Sequence, residues 1–152
     1  MFTLRPAQPS EAQSIRDLIH TVGINPMGLD WRRFILALTP AGQVIGCGQI
    51  KPHGDGSREL ASIAVKPGWQ GRGVGSAIVE RLLGSQEGPL YLTCRARLGP
   101  YYRRFGFQVI EQGQMPPYFR RVKRIFRLLK ALRLVHEDLL VMKKAAHPRG
   151  SD

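Results

Sequence analysis

The stretch from Glu59 to Arg81, ELASIAVKPGWQGRGVGSAIVER, constrains this chain more than any other. An apolar run from Leu60 to Val65 is stopped by Pro67-Gly68, and Gly71, Gly73 and Gly75 follow as three glycines in five residues. From Ser76 onward, Ile78, Val79, Leu82 and Leu83 return at helical spacing. The order is strand, glycine-rich loop, helix. Such an order builds an anion site, because glycines let the backbone approach a ligand and the first N–H groups of a helix have no partner inside it. The loop does not end in Gly-Lys-Ser/Thr, so the lysine and hydroxyl of a nucleotide-hydrolysing loop are missing. The spacing of Gly71, Gly73 and Gly75 also departs from a dinucleotide fingerprint, and no acidic residue follows about 20 positions on after a new strand.

A second block lies downstream. Leu90-Tyr91-Leu92-Thr93-Cys94 reads as a short strand, Leu98 to Phe105 as a short helix, and Gln108-Val109-Ile110 as the strand after Gly106-Phe107. Gln70-Gly71-Arg72-Gly73-Val74-Gly75 resembles the Gln/Arg-x-x-Gly-x-Gly/Ala signature of the GNAT N-acetyltransferases. The preceding strand, ending Ile63-Ala64-Val65-x-Pro67, strengthens the likeness, and Tyr102-Arg103-Arg104-Phe105-Gly106-Phe107 resembles that family's Tyr-x-x-x-Gly-Phe motif. The likeness is specific over residues 59–107 and rests on element order elsewhere.

The resemblance implies a mixed α/β fold, a central and mostly antiparallel twisted sheet flanked by helices. It implies acetyl-coenzyme A as acetyl donor and a primary amine as acceptor, joined by direct attack in a ternary complex. Gln70, Gly71, Arg72, Gly73, Val74, Gly75 and Ser76 would hold the pyrophosphate, the pantetheine arm would pair with Ile63, Ala64 and Val65, and Tyr102 would protonate the leaving thiolate. An amine with a lysine-like pKa is protonated at neutral pH and cannot attack until a base removes the proton. The family's glutamate on the strand Leu90–Cys94 is replaced by Thr93, and Arg95-Ala96-Arg97-Leu98-Gly99 holds no match for a family asparagine. Glu59, at the start of the strand before the loop, is the best remaining base, with His53 or a water relay as alternatives. The rival to an enzyme is a non-catalytic acyl-coenzyme A sensor or adaptor on the same fold.

The other elements follow from pattern. Thr3-Leu4-Arg5 reads as a strand, and a helix with Ile15, Leu18, Ile19 and Val22 on one face starts with Ser10 as N-cap and Gln13 in the capping-box position. Strands at Phe34–Leu38 and Val44–Ile50 are joined by a turn at Thr39–Gly42; the strand Arg58–Val65 follows a second turn, and Glu137–Lys143 is the last strand. The resemblance further implies that the acceptor would meet Ile24–Trp31, with Asn25, Asp30 and Trp31 as candidate contacts, and Gln114–Tyr118. Residues 1–144 read as one N-acetyltransferase domain and 145–152 as a disordered tail. Cys47 and Cys94 sit in apolar runs without metal-ligand spacing, so no metal is expected.

The net charge of +12 is unevenly placed. Residues 120–133 carry seven basic and no acidic side chains, and without them 16 basic residues face 11 acidic ones, a balance of +5. Over 118–134 the apolar Val122, Ile125, Phe126, Leu128, Leu129 and Leu132 share one arc and Arg120, Lys123, Arg124, Arg127 and Lys130 the other. This predicts an inserted basic amphipathic helix. It packs on the domain with a solvated basic face, lies on an anionic membrane surface, or meets an acidic partner; no nucleic-acid motif accompanies it, so nucleic acid is the less expected partner. The first residues lack a charged start followed by an apolar stretch, which predicts a cytoplasmic chain, membrane-peripheral if the helix meets lipid, as monomer or homodimer.

Overall fold

The structure is a computed structural model, and it describes residues 1–146. The strands are β1 (Thr3–Pro6), β2 (Phe34–Leu38), β3 (Val44–Pro52), β4 (Arg58–Val65), β5 (Leu90–Arg95), β6 (Gln108–Val109) and β7 (Leu139–Lys144). The helices are α1 (Ala12–Val22), α2 (Val74–Gly84), α3 (Gly99–Arg103) and α4 (Pro117–Ala131). The strands make a seven-stranded, mostly antiparallel mixed sheet in the order β1-β2-β3-β4-β5-β7-β6. This is the mixed α/β architecture that the sequence predicts. The chain forms two compact units, Met1–Lys51 with Leu60–Gln86, and Pro52–Glu59 with the residues from Glu87 onward. Of the tail expected over 145–152, residues 147–152 lie outside the described residues.

In the first unit, β1, β2 and β3 pair antiparallel, with Leu4 opposite Ala37 and Leu36 opposite Cys47. One face of this sheet meets α1: Ile15, Leu18 and Ile19 pack with Phe34, Leu36, Leu38, Cys47 and Ala64. The helix ends where Gly23 takes φ 79° and its N–H donates to Ile19 O at 3.0 Å, a conformation that costs glycine little. Its start differs from the Ser10 cap. A 3₁₀ turn at Pro9–Glu11 precedes Ala12, and Glu11 takes the organising role, accepting from Gln8 N–H at 2.8 Å and from the Arg5 guanidinium at 2.7 and 2.9 Å. A two-pronged arginine–carboxylate bond outcompetes a serine hydroxyl.

The other face of β3 receives α2, and two glycines set how closely. A Cβ on Gly48 would stand 2.6 Å from Ile63 Cδ1 and 2.7 Å from Ile78 Cγ2; one on Gly46 would stand 2.8 Å from Val74 Cγ1. Val74, Ile78, Val79 and Leu82 are all buried.

In the second unit, β7 pairs antiparallel with β5 (Leu92 opposite Met142) and with β6 (Val109 opposite Met142), and Glu59 pairs in parallel with Tyr91. The short helix predicted at Leu98–Phe105 is a 3₁₀ turn at Ala96–Leu98 followed by α3, β6 stops at Val109, and β7 begins at Leu139. The basic helix predicted over 118–134 runs Pro117–Ala131, entered by a proline suited to a first helical position and left where Arg133 turns to φ 59°. Phe119, fully buried, anchors it among Tyr91, Ile110, Met115 and Val141. Lys123 Nζ donates to Leu139 O, and Lys130 pairs with Asp138.

Gly48→Ala overpacks the β3–α2 contact at a cost of about 1–3 kcal/mol. That exceeds the roughly 0.4–1 kcal/mol that a glycine-to-alanine change recovers from the unfolded chain. The urea midpoint is therefore expected to fall; an unchanged or higher midpoint would show that α2 has room to spare.

Candidate active site

The glycine-rich loop lies in the first unit, between β4 and α2. It begins from a kinked strand: Ser62 holds φ 59°, a conformation that costs a non-glycine residue on the order of 1–3 kcal/mol. Its neighbours enforce it. Gln49 Nε2 donates to Ser62 Oγ at 2.8 Å, and the Cys47 thiol lies 3.5 Å from Ser62 O. Beyond the kink come Ile63, Ala64 and Val65, with Ala64 buried and its two neighbours half-buried.

The loop then folds back on its strand. Gln70 Nε2 donates to Val65 O at 3.0 Å, so this side chain closes the loop. Trp69 N–H donates to Lys66 O at 2.9 Å, and the Arg72 guanidinium stands 5.1 Å over the Trp69 ring. Gly73 occupies the N-cap of α2 at φ 81°, left-handed backbone that a side chain would strain. A glycine cap brings no side-chain oxygen, so Gly73 makes no side-chain capping bond. A Cβ on Gly71 or Gly73 would meet nothing within 4 Å, so open space lies over the exposed loop. An uncapped helix start, partial positive charge and a glycine rim make a cradle that fits a pyrophosphate.

The second unit holds both predicted catalytic residues. Glu59 and His53 have side chains only 9% exposed, and Glu59 Oε1 lies 2.9 Å from His53 Nε2. Tyr118, at the start of α4, stacks on the imidazole with ring centroids 3.6 Å apart, and Phe119 meets it edge-on at 5.7 Å. Burial and the Glu59 charge push the Tyr118 phenol up, against the pull of Arg121. Asp55, in the turn between β3 and β4, ties these parts together. Its carboxylate accepts from Ser57 N–H at 2.8 Å, from Ser57 Oγ at 2.5 Å and from Tyr118 N–H at 3.0 Å. The last bond makes Asp55 an external cap of α4, with its negative charge at the positive end of the helix. Burial disfavours the Asp55 charge, but the bonds from Ser57 and Tyr118 and the nearby His53 outweigh it and hold the carboxyl down at about 2.

Tyr102 sits on α3, half-buried, edge-on to Tyr101 at 5.0 Å and to Phe107 at 6.2 Å. Its carbonyl accepts from Phe105 N–H at 3.0 Å, part of the Gly106-Phe107 turn that closes the short helix. Burial above all, then Tyr101 and Cys94, push its phenol well above the ordinary range. Tyr102 therefore stays a neutral O–H at physiological pH and has a proton to give. Cys94 is itself pushed up to about 11 by burial, and Cys47 to about 12, so both remain inert thiols.

The acceptor-side residues behave as turn formers. Asn25 Oδ1 accepts from Met27 N–H at 3.0 Å, and Asp30 Oδ1 accepts from Arg32 N–H at 3.1 Å. Trp31 packs against the α1 core. Two side chains of β3 hold this loop by its carbonyls: Gln49 Nε2 donates to Gly28 O at 3.2 Å and Lys51 Nζ to Met27 O at 3.0 Å. Gln49 is fully buried, and its Oε1 has no partner among the described residues. The sequence pattern points to His53 but not to Asp55, and it places Tyr118 in the stretch 114–118 without its contact to His53. The Asp-Gly-Ser turn and the Pro-Pro-Tyr-Phe helix start are the signals, and 63 positions separate the bonded pair Asp55 and Tyr118.

A family model described as an acetyltransferase (GNAT) domain matches residues 30–109. That is more than half of the 152 residues, and the chain belongs to the GNAT acetyltransferases. Among solved structures, it shares its fold with Rv2747 from Mycobacterium tuberculosis, in complex with CoA and NLQ, at 24% identity and a TM-score of 0.72 over 94% of this chain and 98% of that one. The ribosomal-protein-S18-alanine N-acetyltransferase from Escherichia coli matches at 18% identity and a TM-score of 0.70, covering 100% of this chain and 98% of that one. N-acetylglutamate synthase from Neisseria gonorrhoeae, complexed with coenzyme A and L-arginine, matches at 18% identity and a TM-score of 0.72; 97% of this chain covers 34% of that one, about a third of its length. By that family membership the chain is an N-acetyltransferase with acetyl-coenzyme A as donor. The family assignment favours turnover over the sensor alternative.

Asp55 gives a pH signature. A carboxyl held at about 2, below its ordinary value near 3.9, stabilises the fold while ionised. That contribution is complete above about pH 4 and is lost as pH falls through about 2. Thermal melts of the wild type and Asp55→Asn are expected to differ most above pH 4 and to converge toward pH 2; a constant gap would mean that Asp55 does not act through its charge.

Proposed function

We propose that residues 1–144 work as one N-acetyltransferase domain that moves the acetyl group by direct attack of a primary amine in a ternary complex. The observation that carries this is the β4–loop–α2 segment, where an uncapped helix start follows a glycine rim inside the family match. The backbone N–H groups of Gly71, Gly73, Val74, Gly75 and Ser76 bind the pyrophosphate, Arg72 adds charge, and Gln70 keeps the loop closed on Val65. The backbone of Ile63, Ala64 and Val65, re-aimed by the Ser62 kink, holds the pantetheine arm and polarises the thioester carbonyl.

The proton chemistry divides between two groups of the second unit. Glu59, hydrogen-bonded to His53, takes the proton from the ammonium of the acceptor. The freed amine nitrogen attacks the thioester carbonyl carbon, the carbon–sulfur bond breaks as the tetrahedral intermediate collapses, the Tyr102 hydroxyl gives its proton to the leaving thiolate, and the second proton shed by the acylated nitrogen restores the phenol through solvent. The elevated phenol pKa supports this role for Tyr102, because a neutral phenol is what a general acid must be at the start of the step. Besides the amine, the partner is an anionic membrane surface or an acidic protein met by α4, which would place the enzyme at the membrane periphery.

Release of free thiol from acetyl-coenzyme A, with a panel of glutamate, polyamines, lysine peptides and an alanine-terminated peptide, tests the activity and names the acceptor class. Tyr102→Phe and Glu59→Gln are each expected to lower kcat by roughly 10²–10⁴ with little change in coenzyme A affinity. An unchanged kcat would remove that residue from the mechanism. Gly73→Glu is expected to abolish coenzyme A binding in calorimetry, since it sets a strained backbone and a like charge against the pyrophosphate. Undiminished binding would move the phosphate site elsewhere.

A further inference from the structure

Helix α4 offers more apolar surface than the protein covers. Phe119 is buried, and Val122, Phe126 and Leu129 are half-buried along the same flank. Ile125, Leu128 and Leu132 form a neighbouring column at i, i+3 and i+7, and they are 59%, 60% and 60% exposed. Leu134, just past the helix, is 67% exposed. The helix is fixed about its axis by the buried Phe119, by Lys123 on Leu139 O and by Lys130 on Asp138, so it cannot roll to hide the column.

Cations flank the column. Arg120, Arg121, Arg124 and Arg127 are all exposed, and among the described residues none of them forms an ion pair. Arg121 and Arg124 stand one turn before Ile125 and Leu128 on the same side, and the helix contains no acidic residue. An aliphatic column bordered by guanidiniums has the chemistry of a helix lying in a lipid interface, its apolar side chains in the acyl boundary and its cations level with the phosphates. A second copy of the chain would bring two rows of like charge together. Nucleic acid would leave the aliphatic column without a role, and the column offers no aromatic ring for a base to stack on.

We infer that α4 seats this acetyltransferase on an anionic lipid surface through Ile125, Leu128 and Leu132, with Arg120, Arg121, Arg124 and Arg127 facing the headgroup phosphates. The claim does not depend on acetyl transfer. A chain that binds lipid but releases no thiol, or the reverse, separates it from the catalytic proposal.

The experiment is co-sedimentation of the full chain with vesicles of phosphatidylcholine alone and of phosphatidylcholine mixed equally with phosphatidylglycerol. Binding to the mixed vesicles only, weakened by added salt, is the expected result. Replacing Ile125, Leu128 and Leu132 together by Ser should lower the partition coefficient by about tenfold or more, and so should Arg121→Gln with Arg124→Gln and Arg127→Gln. Leu128→Ser alone should show a smaller loss; melting temperature and coenzyme A binding in the same samples report whether each variant folds. Equal binding to both vesicles, binding to neither, full binding by the folded serine variant, capture by RNA in place of lipid, or a dimer that the serine variant dissolves would each overturn the inference.

Discussion

The first unit, proposed to bind the donor, depends on one close contact, the seating of α2 on the glycine face of β3. Gly46 and Gly48 leave no side chain between the strand and Val74, Ile78 and Leu82, so the helix lies directly against the backbone of the sheet. That contact fixes where the first turn of α2 points. The loop from Lys66 to Gly73 then has to join the end of β4 to this preset helix start, and it does so with left-handed glycines and with the Gln70 bond to Val65 O. Binding strength at a helix start comes from N–H groups already held in place. Here the packing that holds the start of α2 is apolar, and a Cβ on Gly71 or Gly73 would meet nothing within 4 Å.

The second unit is organised differently, around charge. Asp55 draws the β3–β4 turn and the start of α4 onto the same carboxylate, and this places Tyr118 flat on His53. Glu59 and His53 are thereby removed from most solvent while they keep each other as partner. A carboxylate with an imidazole partner and an aromatic cover can accept a proton without direct exposure to water. The device also gives the basic helix a reason to be where it is. Its N-terminus builds the cover over a candidate base, and its remaining length projects cationic and apolar side chains outward.

What could be read in the sequence was what local pattern encodes. The strand, loop and helix of residues 59–84 follow from an apolar run, a glycine cluster and a helical repeat, and the structure has all three. The Ser10 cap failed because a tertiary bond from Arg5 to Glu11 outranked a local preference. Gln70 stands in the motif, and only the tertiary structure shows that its side chain closes the loop. Asp55 and Tyr118 could not be paired from pattern at all, since no periodicity links a turn to a helix start 63 residues away. The apolar arc of α4 was visible. Which part of it stays uncovered is decided by Phe119, Lys123 and Lys130, and so only by the tertiary structure.

The proposed mechanism asks opposite things of its acid and its base, and the surroundings of Tyr102 and Glu59, the residues proposed for those roles, differ. An acid that serves a thiolate must hold its proton until the sulfur leaves, and Tyr102 is placed among Tyr101, Phe107 and Cys94, where burial raises the cost of its anion. A base must instead start ionised in a site that excludes bulk water. Glu59 Oε1 lies 2.9 Å from His53 Nε2, and burial together with the Glu59 charge pushes the neighbouring Tyr118 phenol upward. Apolar and aromatic neighbours thus keep Tyr102 neutral, while Glu59 has a polar partner in His53. The His53–Glu59 pair combines burial with a carboxylate oxygen that can accept a proton, which supports the proposed base.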